Sequence, residues 1–253
     1  MKVTDNTIFI TGGGSGIGRG LAEAFHKLGN KVIIAGRRKA LLDEVIAANP
    51  GMDAVELDIN DPSNIAHVAK DLIKRYPTLN VLINNAGIMP FDDPASTIDE
   101  ATMLGTITTN LYGPIRMTSA LIEHLKSQPR SVIINNSSVL AFVPLAGNAV
   151  YSATKAALHS YSLSQRFALR DSTVTVQEIA PPWVNTDLIH KGDDPRAMPL
   201  DAFIEETMAG LATDTPEVIV EAIRPFRDNP GSQEHAIVHG FNQSLVENPI
   251  PVA

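Results

Sequence analysis

The sequence contains no cysteine, and that absence excludes disulfide bonds and thiolate metal sites. It also lacks an apolar run near the ~20 residues that a membrane helix needs. Before the first glycines the only apolar run is "IFI", which is too short for the apolar region of a signal peptide. We therefore expect a soluble protein of the cytoplasm, a compartment in which cysteine-free chains are at no disadvantage.

Positive charge is also scarce. The formal net charge is −8, which argues against nucleic acid or an anionic membrane surface as the main partner. Hydrophobic residues make up 44% of the 253 residues and charged residues 19%, so the chain can bury a large core and is not expected to be disordered. A small anionic ligand would need a site that is basic only locally.

Short apolar runs alternate with helix-like segments along the chain. The runs lie at 7–11, 31–35, 53–57, 81–84, 131–135 and 173–179, with a weaker one, "HAIV", at 235–238. Several are β-branched and apolar at both odd and even positions, as in strands covered on both faces. Between them, residues at helical spacing form apolar faces: Leu21, Ala24, Phe25 and Leu28, then Ile65, Val68, Ala69 and Leu72. This alternation predicts an α/β fold with a doubly wound parallel sheet between two helical layers.

No linker or repeat divides the chain, and we predict a single domain over residues 1–253. The least regular region is about 185–215, which is long and contains glycine and two prolines. Long loops in compact domains are often lids over a binding site. We predict a substrate lid there.

Glycines follow the first predicted strand directly, in "TIFITGGGSGIGRG". Gly12, Gly16 and Gly18 allow a tight turn and close approach of a pyrophosphate to a helix N-terminus, where free N–H groups favour anions. The strict G-x-G-x-x-G pattern is not met, and a generic flexible turn is the alternative. The strand–turn–helix context favours a dinucleotide site.

The end of the second predicted strand bears on the choice of cofactor. NAD sites usually carry an acid there to accept from the ribose 2′-hydroxyl. Here Gly36 stands in that place, followed by Arg37 and Arg38. A guanidinium binds a 2′-phosphate and stacks on adenine, so NADP(H) is favoured and NAD(H) is possible. The alternative is that both arginines are solvated charges at a helix start.

Tyr151 and Lys155, in "AVYSATKAAL", lie one turn apart on a helix. An ammonium about 6 Å from the phenol oxygen would favour phenolate by about 3 kcal/mol and lower the pKa of Tyr151 toward neutrality. That would suit a general acid or base. Alone, the pair is more typical of a surface tyrosine stacked on a lysine stem.

Ser137 and Ser138 end a predicted strand at the edge where open α/β sheets bind ligands. The alternative for a serine pair after a strand is helix or turn capping, which Ser137 would suit. With these residues the chain resembles the short-chain dehydrogenase/reductase family in its single-domain form of about 250 residues. The matching motifs are "TGGGSGIG" (11–18), "DI" (58–59), "NNAG" (84–87), "TNLYG" (109–113), "NSS" (136–138), "YSATK" (151–155) and "PPWVNT" (181–186).

The resemblance implies a role for each of four residues. Tyr151 would give or take the proton of the substrate oxygen, and Lys155 would lower its pKa and bond the nicotinamide ribose. Ser138 would bond the substrate oxygen. Asn110 would hold a water that links Lys155 to solvent, or else is a helix-interior polar residue.

The resemblance also places the cofactor along the matched motifs. The implied cofactor-binding residues are Thr11, Gly12, Gly14, Ser15, Gly16, Ile17, Gly18, Arg37, Arg38, Asp58, Ile59, Asn85, Ala86, Gly87, Tyr151, Lys155, Pro181, Trp183, Val184 and Thr186. Asp58 could accept from the adenine amino group or could cap the following helix. Pro182 departs from the family's usual glycine, and the C-terminal segment departs from its usual glycine-rich end, so a family-like homodimer or homotetramer is only an expectation.

The residues expected around the substrate are mostly apolar: Ser138, Leu140, Phe142, Val143, Leu145, Trp183, Leu188 and Ile189. Trp183 would equally suit plain core packing. The set favours hydrophobic ketones, aldehydes or secondary alcohols, and hence a carbonyl reductase or alcohol dehydrogenase. Alternatives are an NADP(H)-binding regulator without turnover, or an epimerase or dehydratase.

Other catalytic and metal-binding patterns are weak. His235 and His239 fall in the predicted strand "HAIVH", about 13 Å apart and without a third ligand, so we predict no metal site. No serine has glycine two residues away on both sides, which excludes the hydrolase nucleophile elbow.

Overall fold

The computed structural model describes residues 1–189, 192, 194–229 and 231–249. Its strands are β1 (Thr7–Thr11), β2 (Lys31–Gly36), β3 (Asp53–Glu56), β4 (Leu79–Asn84), β5 (Ser131–Asn136), β6 (Val174–Ile179) and β7 (Glu217–Val218). They form one sheet in the order β3-β2-β1-β4-β5-β6-β7, with every neighbouring pair parallel. The predicted doubly wound α/β fold is confirmed.

The α-helices are α1 (Gly16–Lys27), α2 (Lys39–Ala48), α3 (Pro62–Arg75), α4 (Glu100–Ile107), α5 (Gly113–Ser127), α6 (Ala149–Ala168), α7 (Leu200–Leu211), α8 (Arg224–Arg227) and α9 (Glu234–Glu247). Within the described residues, no helix combines the length and apolar character needed to cross a bilayer. Two apolar cores lie on the two faces of the sheet. One contains Phe25 of α1 and the other contains Leu72 of α3, each fully buried.

The strands pair as the sequence pattern requires. All five residues of β1 and all six of β5 are buried, which explains their apolar character at both parities. The chain reverses direction across the sheet between β1 and β4, which pair in the middle of it. In open parallel sheets the ligand site lies at the carboxyl ends of the strands beside such a switch point.

The predicted strand at 235–238 is wrong, because these residues belong to α9. Ile237, Val238, Phe241 and Leu245 pack against the core at helical spacing, and their β-branched members resemble a strand only over a short window. His235 and His239 are therefore one helical turn apart and exposed, and the expected separation of about 13 Å along a strand is also wrong.

The region 185–215 is more regular than predicted. Residues Leu200–Leu211 form α7, whose fully buried Phe203 and Leu211 anchor it, and α7 packs against α1 where Ile204 meets Gly20. The backbone of Trp183 and Asn185 pairs with Met198, so the segment before α7 is also tied down. His190, Lys191 and Asp193 of the predicted lid lie outside the described residues. The lid itself stays a prediction.

Candidate active site

The ends of β1 and β4 meet at one side chain. Thr11 Oγ1 accepts hydrogen bonds from the backbone N–H groups of Asn85, at 3.0 Å, and Ala86, at 3.1 Å. The side-chain amide of Asn85 in turn donates to the backbone carbonyls of Thr11 and Gly12. Gly87 follows directly. These contacts hold the 84–87 motif against the glycine-rich turn.

The glycine-rich turn needs glycine for two separate reasons. Gly12 has φ +70° and Gly16 has φ +52°, a left-handed conformation that other residues adopt with strain. At Gly18 the reason is close approach, since an added Cβ would lie 2.3 Å from the Gly12 carbonyl oxygen. The turn therefore packs directly on the first turn of α1 and leaves the N–H groups at that N-terminus open to an anion.

Three further cofactor candidates surround this turn. Ser15 is the N-cap of α1 and accepts a hydrogen bond from the Arg38 guanidinium at 3.0 Å. Thr186, from the segment after β6, lies 3.4 Å from the Cβ position of Gly16. Ile17 packs against the core. At Gly14 an added Cβ would make ordinary van der Waals contact, with its nearest neighbour Leu41 at 3.4 Å.

The residues expected near adenosine lie along the ends of β2 and β3. Arg37 and Arg38 are both exposed after β2. Asp58 is exposed and accepts from the backbone N–H of Asn60, while Ile59 is buried. The alternative role of Asp58 as a helix cap is wrong, because Asp61 caps α3 through the N–H of Ser63.

Tyr151 and Lys155 lie on one face of α6 and are both buried. Lys155 Nζ lies 5.5 Å from the Tyr151 ring centroid and donates to the Asn136 carbonyl at 2.7 Å. The contact with Asn136 turns the lysine toward the ends of β4 and β5. A surface tyrosine stacked on a lysine stem is thereby excluded.

The expected lowering of the Tyr151 pKa is wrong for this structure. Burial raises the pKa of Tyr151 to about 12, and the hydrogen bond with Ser138 opposes that effect only partly. Burial also lowers the pKa of Lys155 to about 8, opposed by the charge of Glu178. The helical spacing does not show desolvation, and burial is the largest effect on the pKa of both groups.

Ser138 follows β5 and contacts Tyr151. It is buried, and its hydroxyl accepts from the N–H of Leu140 while hydrogen-bonding Tyr151. The capping role thus belongs to Ser138. Ser137 donates instead to the Glu178 carboxylate at 2.5 Å and to the carbonyl of Ile179.

Asn110 lies in a π-helical turn, Thr108–Tyr112, between α4 and α5. Such turns interrupt regular helices frequently at functional sites. The Asn110 side chain pairs with the backbone of Ile88 on both sides, each contact at 2.9 Å, and also donates to Thr154 on α6. Its Oδ1 and Lys155 Nζ lie 3.4 and 3.8 Å from the Cβ position of Gly87. The structure therefore brings Asn110, Ser138, Tyr151 and Lys155 together.

The substrate candidates separate into two groups. Leu140, Val143 and Leu145 are buried in the same core cluster as Tyr151, and Leu188 is exposed. Phe142 packs edge-on against His159 with ring centroids 5.1 Å apart. Val143 is fully buried, so its side chain serves the core and not a pocket surface.

The segment after β6 runs beside this site. The Pro181 carbonyl accepts from the N–H of Val139, Val184 is buried, and Ile189 is half-buried. Pro182 and Trp183 are also half-buried. The Arg196 guanidinium lies 5.2 Å from the Trp183 ring centroid, while the buried indole Nε1 has no hydrogen-bond partner among the described residues.

Sequence reasoning missed a cluster of titratable side chains around the buried Glu178. His159, Glu178 and Glu217 offer ligand atoms within 4.8 Å of one another. His159 continues the face of Tyr151 and Lys155 by one more helical turn, which is the signal that the sequence carried. Glu178 lies on β6 beside the polar Gln177, and nothing in that run marks it as a site residue.

The residues present fit a bound dinucleotide. Glycines occupy the positions at which a Cβ would fill the turn, a helix N-terminus faces it, and Arg38 adds a cation beside Ser15. When bound, the nicotinamide supplies or accepts hydride. Asn110 and Lys155 lie at the other end of this groove, where their polar atoms are closest to the Cβ position of Gly87.

Comparisons with known proteins agree with this geometry. A family model described as short chain dehydrogenase matches residues 6–196. The uncharacterized oxidoreductase DltE of Bacillus subtilis is 40% identical over 234 residues, covering 90% of this chain and 93% of that protein. The NADP-dependent 3-hydroxy acid dehydrogenase YdfG of Shigella flexneri is 30% identical over 221 residues, covering 85% and 86%. A short chain dehydrogenase from Burkholderia cenocepacia, in complex with NADP, has a TM-score of 0.82 at 26% identity, covering 99% of this chain and 100% of that one.

Proposed function

Because the chain belongs to the short-chain dehydrogenase family, and is an oxidoreductase acting on hydroxyl or carbonyl groups, we propose that it is an NADP(H)-preferring carbonyl reductase and secondary alcohol dehydrogenase. Its proposed substrates are small to medium hydrophobic ketones, aldehydes and alcohols. The observation that carries the proposal is the convergence of Asn110, Ser138, Tyr151 and Lys155 beside the glycine-rich turn. NAD(H) is the second choice of cofactor.

Each of the four residues has a separate role in the proposed reaction. In reduction, Tyr151 gives its proton to the substrate oxygen, which Ser138 holds by a hydrogen bond. Lys155 lies beside the Tyr151 ring and resupplies the proton. Asn110 fixes the backbone at Ile88 and, with it, the wall along which a proton from solvent would reach Lys155.

A carbonyl panel assayed with NADPH and NADH side by side tests the proposal. It contains hydrophobic ketones and aldehydes, and also 3-oxo acids, because the Shigella flexneri relative is named for 3-hydroxy acids. We expect NADPH absorbance to fall with at least one hydrophobic carbonyl. Cofactor binding without turnover would favour the regulator, and product formation without net NADPH consumption would favour an epimerase or dehydratase.

Cofactor preference provides a prediction at Arg37, which is exposed after β2. In Arg37→Asp a carboxylate would face the 2′-phosphate of NADPH, and we expect the Michaelis constant to rise at least about tenfold for NADPH and much less for NADH. Initial rates with both cofactors measure this. Equal changes for the two would remove Arg37 from the 2′-phosphate site and leave Arg38, which contacts Ser15, as the remaining candidate.

The rate should also depend on pH through Lys155. Burial lowers the pKa of Lys155 to about 8 and raises that of Tyr151 to about 12. As pH rises, Lys155 therefore loses its proton before Tyr151 does. Reduction needs the proton and oxidation needs its absence. We therefore expect kcat for reduction to fall as pH rises through about 8, and kcat for oxidation to rise over the same range. Profiles in both directions that stay flat from about pH 7 to about pH 9 would contradict this.

Three further properties belong to the same proposal. The protein would act in the cytoplasm as one domain and would form a homodimer or homotetramer, as expected from the resemblance. The segment 185–215 would act as a substrate lid. Sedimentation velocity measures the oligomeric state, and limited proteolysis with and without NADPH shows whether cleavage within 185–199 is suppressed by the cofactor.

A further inference from the structure

Glu178 is a buried carboxylate that the proposed mechanism does not use. It lies on β6, paired in register with Asn135 of β5, and its side chain is only 1% exposed. Ser137 Oγ donates to it at 2.5 Å, and His159 Nδ1 lies 2.9 Å from its second oxygen. Ser137, which precedes the site residue Ser138, and His159 thus hold the carboxylate of Glu178 in place.

Further charges face Glu178 from the neighbouring elements. Glu217 is its register partner on β7, and Arg227 of α8 binds Glu217 through two nitrogens at 2.6 and 3.0 Å. Arg166, near the end of α6, donates to the Pro216 carbonyl. His159, Glu178 and Glu217 have the ligand types of a metal site, but Arg227 and Ser137 already satisfy the two carboxylates. We interpret the group as a closed charge network.

Lys155 is a buried cation whose pKa responds to the charge of Glu178. Its ammonium bonds the Asn136 carbonyl, next to Asn135 and Ser137 on the same strand end. A buried ammonium is costly unless an opposite charge is near. Burial lowers the pKa of Lys155, and Glu178 is the charge that opposes this effect. Tyr151 and His159 flank Lys155 on α6, one turn to either side.

We propose that Glu178, held in place by Ser137 and His159, is a positioning residue that keeps the charge on the catalytic Lys155. The inference rests on the proposed function, since only a catalytic Lys155 makes its charge matter for turnover. It extends the site by one carboxylate on β6 and gives a role to the charged residue that this strand buries.

The test compares Glu178→Gln with Glu217→Gln, which removes the same charge one strand further from Lys155. For each variant the pH profile of kcat for reduction is measured. The pKa of Lys155 is measured separately, without cofactor, by NMR titration of ¹³C-lysine side chains. Lys155→Met assigns the Lys155 signal. For E178Q we expect both inflections to move to lower pH by about half a unit or more. For E217Q we expect less than half of that displacement. Glu178→Asp, which restores the charge, should recover at least half of it.

The double variant His159→Gln/Glu178→Gln replaces the hydrogen-bonded pair by two amides, and it serves if E178Q does not fold. We expect the same displacement from it. Unchanged Lys155 titration in either variant would overturn the inference, as would an equal displacement in E217Q. If the wild-type protein turns over no carbonyl, the proposed function fails instead, and the NMR titration still decides the role of Glu178.

Discussion

Tyr151→Phe should lose at least about 10³-fold in kcat for reduction, equivalent to about 4 kcal/mol of transition-state stabilisation, while NADPH binding stays within about threefold. The substitution removes only the phenol oxygen. The aromatic ring that fills the buried site and faces Lys155 remains, and so does the contact between Lys155 and the Asn136 carbonyl. Because burial raises the pKa of Tyr151 to about 12, the phenol is protonated at every pH at which the enzyme is assayed. Its loss therefore removes the proton donor itself.

Tyr161→Phe is the matched control, because it makes the same change on the same helix at a half-buried position. We expect Y161F to keep kcat within about twofold. Stopped-flow turnover and fluorescence titration of NADPH separate chemistry from binding. If Y151F retained more than about a tenth of the wild-type kcat, another group would have to donate the proton, and Ser138 would be the nearest candidate. If it also lost NADPH binding, the effect would be on the cofactor groove.

Much of the fold could be predicted because the sheet is buried on both faces. Strands such as β1 and β5 must then be apolar at every position, and that pattern is visible without partners. The two errors come from segments at the periphery. The α9 helix buries no residue fully, so its apolar face is weak and "HAIV" resembles a strand. In α7 the periodic signal of Leu200, Phe203, Thr207 and Leu211 was present but was obscured by the flanking prolines.

The site was predictable to the extent that chemistry follows spacing along the chain. Tyr151 and Lys155 are one helical turn apart, and Ser138 stands at a strand end, but this local pattern left structural alternatives open for each residue. Their roles were predicted from the resemblance to the short-chain dehydrogenase/reductase family. What the sequence could not supply is the desolvation that acts on them. The burial of Lys155 comes from strand ends far away in sequence, and so does the compensating charge of Glu178. That is why the direction of the shift in the Tyr151 pKa was predicted wrongly.

Gly18→Ala should lower NADPH affinity at least about 100-fold and reduce the melting temperature by several degrees. Two physical effects oppose each other here. Gly18 lies inside α1, where alanine is favoured over glycine by about 0.5–1 kcal/mol. The new Cβ, however, would lie 2.3 Å from the Gly12 carbonyl oxygen and 2.4 Å from Asn85 Nδ2. Overpacking of this kind costs about 1–3 kcal/mol, so the steric term wins.

The loss should fall mainly on cofactor binding because of what Gly12 and Asn85 do. Gly12 holds the left-handed conformation of the turn, and Asn85 ties the end of β4 to it. Relief of the clash moves both away from the α1 N-terminus, where the pyrophosphate needs the N–H groups in place. Gly14→Ala adds the same atom to the same turn but at 3.4 Å from Leu41, so its effect on affinity should be at least tenfold smaller. Isothermal titration with NADPH and thermal unfolding without it distinguish the two variants. An unchanged affinity in G18A would mean that the dinucleotide does not lie against this turn, and the cofactor groove would have to be placed elsewhere on the sheet edge.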